Sequence, residues 1–332
     1  MNRREFIIVT AGSILFIVAG DGGITAMAGS PKRLKKADMA KIALIKTSDR
    51  TSGIKRALEL LGINPVKGKD VLLKPNFNTA DPFPASTHND TLTHLILKMK
   101  EMGAGDITIG ERSGPPHTDD VMREKEIVDL AARLGVKLIN FEELPRKGWT
   151  RVRPEKSHWR DGFDVARPIL DSDCVVNTCC LKTHAYGGIF TMSLKNSVGI
   201  THKRNMRELH GSHSNLRRMI AEINQAYRPS LILLDGIEAF VDGGPARGKR
   251  KRANVILAGT DRIAIDAVGL SILKELGSNR AVMGKKIFEQ EQIARAVELG
   301  LGVSRPEEIE IVADDEEGGE YAVRLMDILL KG

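Results

Sequence analysis

Short apolar runs that alternate with longer amphipathic stretches are the feature that most constrains the fold of this chain. Runs such as KIALIKT and DVLLKPN are separated by segments, near 51–62 and 90–102, whose apolar residues recur with a helical period. Strands separated by helices form parallel βαβ units whose helices cover both faces of the sheet. We therefore predict an α/β domain over residues 41–332, Rossmann-like, with a mostly parallel sheet.

The alternation breaks near residues 145–172. The stretch KGWTRVRPEKSHWRDGF mixes proline, tryptophan and charges without a clear period. We predict an antiparallel or irregular insertion here, which leaves open a division of the domain into two lobes. Further helices are expected near 119–134, 204–227, 262–276, 280–300 and 321–330.

The first 28 residues have the pattern of an export signal. A charged start, MNRREF, precedes the apolar run IIVTAGSILFIVAG and the small-residue site Ala26-Met27-Ala28. The apolar run is shorter than the roughly 20 residues that span a bilayer, and the Arg3-Arg4 pair resembles the twin-arginine signal. We predict a twin-arginine-like signal peptide at 1–28, a basic linker at 29–40, and a periplasmic or extracytoplasmic location. A membrane anchor formed by an uncleaved signal and a buried N-terminal helix are the alternatives.

Charge and composition restrict the partners. The net charge of +7 permits anionic partners, whereas 4% aromatic residues disfavour a surface on which bases stack. No GKS or GKT phosphate loop occurs, and no GxGxxG joins a strand to a helix. We therefore expect a small anionic ligand and no nucleic acid, with the basic run RGKRKR at 247–252 as a solvated loop.

The three cysteines are predicted to be packing residues. Cys174, Cys179 and Cys180 all fall in the strand-like run DCVVNTCCLKTH. Cys174 and Cys180 would be roughly 20 Å apart along an extended strand, and Cys179 would point to the other face. The chain contains no CxxC motif, so cysteines alone cannot build a zinc site or a ferredoxin-type cluster.

Polar residues follow several apolar strands at the point where each strand ends. Ligands of open α/β sheets bind outside the carboxyl ends of the strands, so these side chains are expected to share one pocket. Residues that would bind an anionic substrate or cofactor are Lys74, Asn76, Asn78, Lys182, Thr183, Lys195 and Asn196. The run ITIG also ends in polar residues, namely Glu111, Arg112 and Ser113.

Acidic residues and one histidine are the candidates for proton transfer and charge balance. His184, with Asp235 or Asp266, would move protons. Three lysines in one pocket would repel one another unless Asp235, Asp261 and Asp266 balance them or the ligand is a polyanion. Asp261 is also a candidate metal ligand, although its position before an apolar helix equally suggests an N-cap.

Four motifs resemble the family known as domain of unknown function 362. They are KPNFN, KTHAYGGIFTMSLKNSVGI, LLDGIEAF and ILAGTDRIAIDAVG, and the likeness extends from about residue 70 to 275. The resemblance implies a link to iron-sulfur chemistry and a redox or maturation partner protein. Members that carry an added ferredoxin-like segment have clustered cysteines, and this chain lacks that segment.

Two functions fit these observations. The first is an exported α/β enzyme, redox-linked, whose pocket holds an anionic substrate or cofactor. The second is a non-catalytic periplasmic factor that binds or delivers a metal ion or iron-sulfur cluster, with Asp235, Asp261 and His184 as ligands.

Overall fold

The computed structural model describes residues 4–19 and 39–332. Within these residues the strands are β1 (Arg4–Thr10), β2 (Ser13–Ala19), β3 (Ala40–Lys46), β4 (Val71–Lys74), β5 (Ile107–Glu111), β6 (Lys137–Asn140), β7 (Trp149–Val152), β8 (Phe163–Ala166), β9 (Cys174–His184), β10 (Ile189–Thr191), β11 (Leu231–Gly243), β12 (Gly248–Gly259) and β13 (Ile309–Ala313). The helices are α1 (Arg50–Leu61), α2 (Asn89–Glu101), α3 (Thr118–Glu124), α4 (Ile127–Leu134), α5 (Arg167–Leu170), α6 (Ser193–Asn196), α7 (Met206–Gly211), α8 (Leu216–Ile223), α9 (Arg262–Glu275), α10 (Arg280–Met283), α11 (Glu291–Glu298) and α12 (Glu316–Lys331).

Eleven of the described strands form one mixed, mostly parallel sheet. Its order is β2-β1-β13-β3-β12-β11-β9-β4-β5-β6, and β10 pairs with β9. The pairs β13 with β3, β11 with β9, β9 with β4, β4 with β5 and β5 with β6 are all parallel. Strand β12 runs antiparallel to both of its neighbours, β11 and β3. The predicted α/β fold with a mostly parallel sheet is confirmed.

Helices cover both faces of this sheet, and strand β3 shows why. Ile42 and Leu44 belong to one hydrophobic cluster, whereas Ala43 and Ile45 belong to another, because successive side chains of a strand point to opposite faces. Helices α1, α2 and α4 contribute to the second cluster, and α9 and α12 contribute to the first. Helix α9 buries twelve of its fourteen residues, so its apolar character extends around the whole helix.

The ends of helix α1 follow local rules. The Asp49 side chain accepts hydrogen bonds from the backbone N–H groups of Thr51 and Ser52 and so caps the first turn. Gly62 ends the helix in the left-handed region with φ 71°, a conformation that glycine adopts at little cost. These signals were readable in the sequence, and the predicted helix agrees with the observed one to within a residue.

The predicted insertion is present as a small antiparallel unit. Strands β7 and β8 form a separate two-stranded sheet, which is followed by the short helix α5. Trp159 and Phe163 of this unit pack in a third hydrophobic cluster with residues of α8 such as Ile220. The insertion therefore adds to the core on one face of the large sheet.

Three long predicted helices are broken in the structure. The segment 119–134 divides into α3 and α4 at Glu126, which has a positive φ of 57°. The segment 204–227 divides into α7 and α8, and 280–300 divides into α10 and α11. Hydrophobic periodicity continues across such breaks, so it did not reveal them.

The basic run at 247–252 was predicted as a loop, and this was wrong. Residues 248–252 are the first part of β12 and pair with the end of β11, from Glu238 opposite Arg252 to Gly243 opposite Gly248. We call residues 238–252 the basic arm. Strand β12 pairs with β3 only from Val255 onward, so the arm extends past the end of β3. Residues 247–252 are all exposed.

Residues 4–19 form a β-hairpin at one end of the sheet. Strand β1 pairs antiparallel with β13, with Ile7 opposite Ala313, and the side chains of Ile7 and Val9 are buried in a hydrophobic cluster. This hairpin lies within the predicted signal peptide, for which export stays a prediction. The Ala26-Met27-Ala28 site and residues 29–38 of the predicted linker lie outside the described residues. Among the described helices, none has the length and apolar character needed to span a membrane.

Candidate functional site

A cleft opens where β4, β5 and β9 end. These strands are parallel neighbours in the sheet, so the residues that follow them meet at one edge. The cleft has a volume of about 380 Å³ when its open mouth is included. It is lined by Lys74, Asn76, Asn78, Glu111, Arg112, Gly114, Lys182, Thr191, Lys195, Asn196, Val198, Gly199 and Pro245. Six of the seven residues predicted to bind an anion are among them, and their role as ligand contacts stays a prediction.

Positive charge exceeds negative charge in this lining. Lys74, Arg112, Lys182 and Lys195 are basic, whereas Glu111 is the one acidic residue among the described lining residues. Asp235, Asp261 and Asp266 do not line the cleft, which leaves a polyanion as the other of the two alternatives for balancing the lysines.

Glu111 compensates Lys74. The Lys74 ammonium lies 2.6 Å from Glu111 Oε1 and donates to the carbonyl of Pro75 at 2.7 Å. Burial lowers the pKa of Lys74, and the Glu111 carboxylate opposes that shift. Glu111 is held in place by the backbone N–H groups of Phe77 and Arg112, which donate to it at 2.8 Å and 2.9 Å.

Arg112 and Lys182 have no ion-pair partner among the described residues. The Arg112 guanidinium donates to the carbonyls of Thr201, Ser113 and Val198, which are neutral acceptors. Burial lowers the pKa of Arg112 to about 10. The Lys182 ammonium donates to the carbonyl of Ala85, and burial likewise lowers the pKa of Lys182. Backbone carbonyl groups therefore solvate both cations, but no carboxylate among the described residues forms an ion pair with either of them.

Lys195 is the least constrained amine in the cleft. It lies on the short helix α6, and its side chain forms no hydrogen bond or ion pair with any described residue. Burial lowers the pKa of Lys195 to about 7, with further contributions from the positive charges of Lys182 and Arg112.

His184 lies beside Lys195, behind the wall of the cleft. A Cβ built on Gly188 would be 2.9 Å from His184 Nδ1 and 3.2 Å from Lys195 Cε, so both groups border the same small space. Burial, followed by the charges of Lys195 and Lys182, lowers the pKa of His184 far below its usual value. His184 is therefore neutral, and its Nδ1 has no hydrogen-bond partner among the described residues.

Asp266 was predicted to transfer protons, but the structure places it in a supporting position. Its two carboxylate oxygens accept hydrogen bonds from the backbone N–H groups of Ser193 and Leu194 at 2.7 Å and 3.0 Å. Burial raises the pKa of Asp266 to about 7. Asp266 thus anchors the first turn of α6, which carries Lys195 and Asn196. The Asn196 amide in turn donates to the carbonyl of Lys74 at 3.2 Å.

Asp235 and Thr183 also lie outside the cleft. Asp235 accepts hydrogen bonds from Arg50 at 2.7 Å and from the Thr91 hydroxyl at 2.5 Å. The Thr183 hydroxyl donates to the carbonyl of Gly243 and so joins β9 to the basic arm. Thr183 points away from Lys182 because neighbouring residues of a strand face opposite sides of the sheet.

Asp261 lies at the opposite edge of the sheet from the cleft. It follows β12, which runs antiparallel to β11. Gly259 at the end of β12 is therefore opposite Ile232, near the start of β11. Asp235, further along β11, is opposite Ile256. Asp261 caps α9 by accepting from Ile263 and Ala264, and it also accepts from the backbone of Val303. A single metal ion cannot be ligated by Asp261 together with Asp235 and His184.

The described residues contain no group of three or more His, Cys, Asp or Glu side chains arranged to hold a metal ion. The cysteines do not fit an iron-sulfur cluster, because they are buried thiols that divide between the two faces of the sheet. Cys179 packs in the first cluster, and Cys174 and Cys180 pack in the second. Burial raises the pKa of Cys180 to about 11 and that of Cys179 well above its usual value.

Seven residues that line the cleft are not among those predicted to bind an anion. They are Glu111, Arg112, Gly114, Thr191, Val198, Gly199 and Pro245. Glu111 and Arg112 gave a readable signal, since they end β5 as Lys74 ends β4. Gly199 is required by geometry, because a Cβ there would lie 2.3 Å from Glu111 Oε1 and 2.7 Å from Lys74 Nζ.

Two polar atoms of the lining are buried without a hydrogen-bond partner among the described residues. They are Asn76 Oδ1 and Thr191 Oγ1. Buried polar groups are nearly always hydrogen-bonded in folded proteins. Both atoms therefore have hydrogen-bonding capacity that no described residue uses.

The fold and the cleft define an α/β protein with a basic cleft at the carboxyl edge of a mostly parallel sheet. A family model described as "Domain of unknown function (DUF362)" matches residues 71–271, and the chain belongs to this family. The matched range contains every lining residue of the cleft. Membership agrees with the resemblance found in the sequence, whereas the signal peptide and the iron-sulfur link stay predictions.

Two further comparisons describe more distant likenesses. The chain is 26% identical over 251 residues to the thylakoid-associated protein sll1697 of Synechocystis sp.. The match covers 73% of this chain and 74% of that protein. It is also similar to the lactate racemase apoprotein of Thermoanaerobacterium thermosaccharolyticum, with a TM-score of 0.43 and 14% identity. That likeness covers 77% of this chain and 60% of the racemase chain.

Proposed function

We propose that the cleft binds a small anion that carries at least two negative charges, such as a phosphate ester or a di- or tricarboxylate. The observation that carries this proposal is the charge imbalance of the lining, with four basic side chains and one carboxylate. Buried charges are costly unless they are paired. A polyanion would compensate Arg112, Lys182 and Lys195 together.

The remaining lining groups suit the same ligand. The Thr191 hydroxyl can donate a hydrogen bond, and the Asn76 amide can both donate and accept. A charge-assisted hydrogen bond contributes about 1.5 to 3 kcal/mol. Contacts from Arg112, Lys182 and Lys195 would together contribute roughly 4.5 to 9 kcal/mol before the entropic cost of association.

An enzyme is favoured over a passive binding protein because of Lys195. An amine whose pKa is close to 7 exchanges protons readily at neutral pH, which is the property that acid–base catalysis requires. His184 lies next to it as a neutral imidazole with a free nitrogen. A redox role would require a partner or cofactor that supplies electrons.

We also propose that the protein acts outside the cytoplasm. The charged start and short apolar run of the first 28 residues support export. The pairing of β1 with β13 does not support it, because an export signal must be free to bind the export machinery. The name of the relative from Synechocystis, a thylakoid-associated protein, is compatible with such a location. Fractionation of cells that express the full chain and an Arg3→Lys/Arg4→Lys variant tests this part separately, and cytoplasmic retention of the wild type would contradict it.

Calorimetric titration with pyrophosphate and with citrate tests the cleft. We expect saturable binding by the wild type and a loss of about tenfold or more in affinity for Lys182→Met and Lys195→Met. Lys67→Met is the matched control, because it removes the same charge from an exposed side chain that precedes β4, at the opposite end of that strand from the cleft. Equal weakening by all three variants, or no binding by the wild type, would contradict the proposal.

A further inference from the structure

We infer that Lys195 is a nucleophile that forms an imine with a carbonyl group of the ligand. The substrate class is then an anionic carbonyl compound, such as a phosphorylated aldehyde or ketone or a 2-oxo acid. The inference rests on the proposed function and deepens it, since it names the chemistry of the molecule that the cleft binds.

Partners distinguish Lys195 from the other two lysines of the cleft. Lys74 is paired with Glu111 at 2.6 Å, which fixes its ammonium as a donor. Lys182 donates to the carbonyl of Ala85. The Lys195 amine has neither kind of partner among the described residues, although it lines the cleft. It is the one amine there whose lone pair can be directed at a ligand.

The surroundings of Lys195 favour the neutral amine that such an attack needs. Arg112, Lys182 and the neutral His184 are the ionisable groups that face it, and they offer no negative charge. Its pKa of about 7 leaves a large fraction of the amine unprotonated at neutral pH. Nucleophilic lysines are activated by desolvation and by a nearby cation.

The backbone that carries Lys195 is held in place. Asp266 binds the N–H groups of the two residues that precede Lys195, and the next residue, Asn196, is bonded to the backbone of Lys74. The amine therefore approaches the ligand from a defined direction, while Arg112 and Lys182 bind the anionic end. Preorganisation of this kind lowers the entropic cost of reaction.

The proposed step is balanced without an oxidant or reductant. The lone pair of Lys195 Nζ attacks the carbonyl carbon, and the carbonyl π electrons move to oxygen, which takes up a proton. Both protons of the attacking amine end on the former carbonyl oxygen, the C–O bond breaks and water leaves, so that a C=N bond replaces C=O. His184 borders the same space as a neutral side chain and adds no positive charge beside the amine.

Reductive trapping tests the inference. The full chain is treated at pH 7 with a slight molar excess of pyridoxal 5′-phosphate, an aldehyde that carries a phosphate, and then with borohydride. Peptide mapping by mass spectrometry locates the reduced adduct. We expect labelling of Lys195 to be faster than that of any other lysine by on the order of tenfold or more. Labelling spread over the exposed lysines, with Lys195 unmodified, would overturn the inference.

Controls separate the two proposals. Pyridoxal without phosphate should label Lys195 more slowly, and pyrophosphate should protect Lys195 from the phosphorylated probe. If pyrophosphate binds in calorimetry while Lys195 stays unlabelled, the nucleophile is wrong and the anion site stands. If Lys195 is labelled equally by both aldehydes and pyrophosphate does not bind, the anion site is wrong. Lys195→Arg keeps a positive charge, so this variant should lose the adduct but retain pyrophosphate binding. An unchanged adduct pattern in Lys195→Arg would also overturn the inference.

Discussion

Replacement of Glu111 by glutamine is expected to destabilise the fold strongly through Lys74. Glutamine keeps the shape of the side chain but removes the negative charge 2.6 Å from the Lys74 ammonium. Both side chains are buried, with exposed fractions of 1% and 2%, so water cannot replace the lost partner. Breaking a buried pair by removal of one member costs about 3 to 5 kcal/mol. We expect a loss of unfolding free energy in that range.

A second substitution isolates the cause. Lys74→Met removes the charge that Glu111→Gln leaves unpaired, so the double variant should recover much of the lost stability. Pyrophosphate should also reduce the defect of Glu111→Gln, because an anion in the cleft takes over the compensation of Lys74. The measurement is urea-induced unfolding at pH 7, with and without pyrophosphate, analysed by linear extrapolation. A loss below about 1 kcal/mol for Glu111→Gln, or a double variant that loses the sum of both single effects, would show that Glu111 does not stabilise the fold by pairing with Lys74.

Three further predictions concern Lys195, Gly199 and the N-terminal hairpin. The pKa of Lys195 is lowered to about 7 in the folded protein from its ordinary 10.5, so the unfolded chain binds more protons between pH 7 and pH 10.5. The free energy of unfolding therefore rises with pH across that window. Urea unfolding at pH 7 and pH 10 should show this rise in the wild type and a smaller rise in Lys195→Met. Gly199→Ala should lower the free energy of unfolding by about 1 to 3 kcal/mol and weaken pyrophosphate binding, because the alanine Cβ would displace Glu111 or Lys74. Wild-type stability and binding in this variant would mean that the Glu111–Lys74 ion pair can shift freely. Ile7→Ala should cost about 2 to 4 kcal/mol if β1 is docked on β13, and thermal unfolding unchanged from the wild type would show that the hairpin adds nothing to the folded core.

The parts of the site that follow from strand order were predictable from the sequence. Lys74 and Lys182 each end an apolar run, and the run of helices and strands requires those ends to meet at one edge of the sheet. Lys195 and Asn196 line the same cleft, and the sequence signal for this was the glycine turn that returns the chain to that edge.

The acidic residues were misplaced for reasons that lie in tertiary structure. Asp261 was grouped with the cleft under the expectation of a mostly parallel sheet, but β12 runs antiparallel to its neighbours and places its last residues at the other edge. Asp235 was selected because it follows an apolar strand, and Asp266 because it lies among apolar residues of a helix. Their partners, Arg50 and the backbone of α6, are distant in sequence. Glu111 was visible at a strand end, and only the register of β5 against β4 brings it to Lys74.

The N-terminal hairpin illustrates a limit of hydrophobic patterns. A short apolar run with a charged start fits an export signal and a pair of strands equally well, because periodicity alone does not separate them. The strand that pairs with β1 is β13, almost at the other end of the chain. No local signal in residues 4–19 points to that partner.

The basic arm gives the cleft a long-range electrostatic field. Its turn contributes Pro245 to the cleft wall, and Arg247, Lys249 and Arg252 are exposed on the ribbon that leads away from it. A dissolved anion therefore meets an attractive potential before it reaches the cleft, over a distance set by the Debye length of about 8 Å at physiological ionic strength. Association should accelerate in dilute buffer and slow steeply as salt is added, whereas the lifetime of the complex depends mainly on contacts inside the cleft. The speed of capture and the duration of binding are thus governed by different residues of the chain.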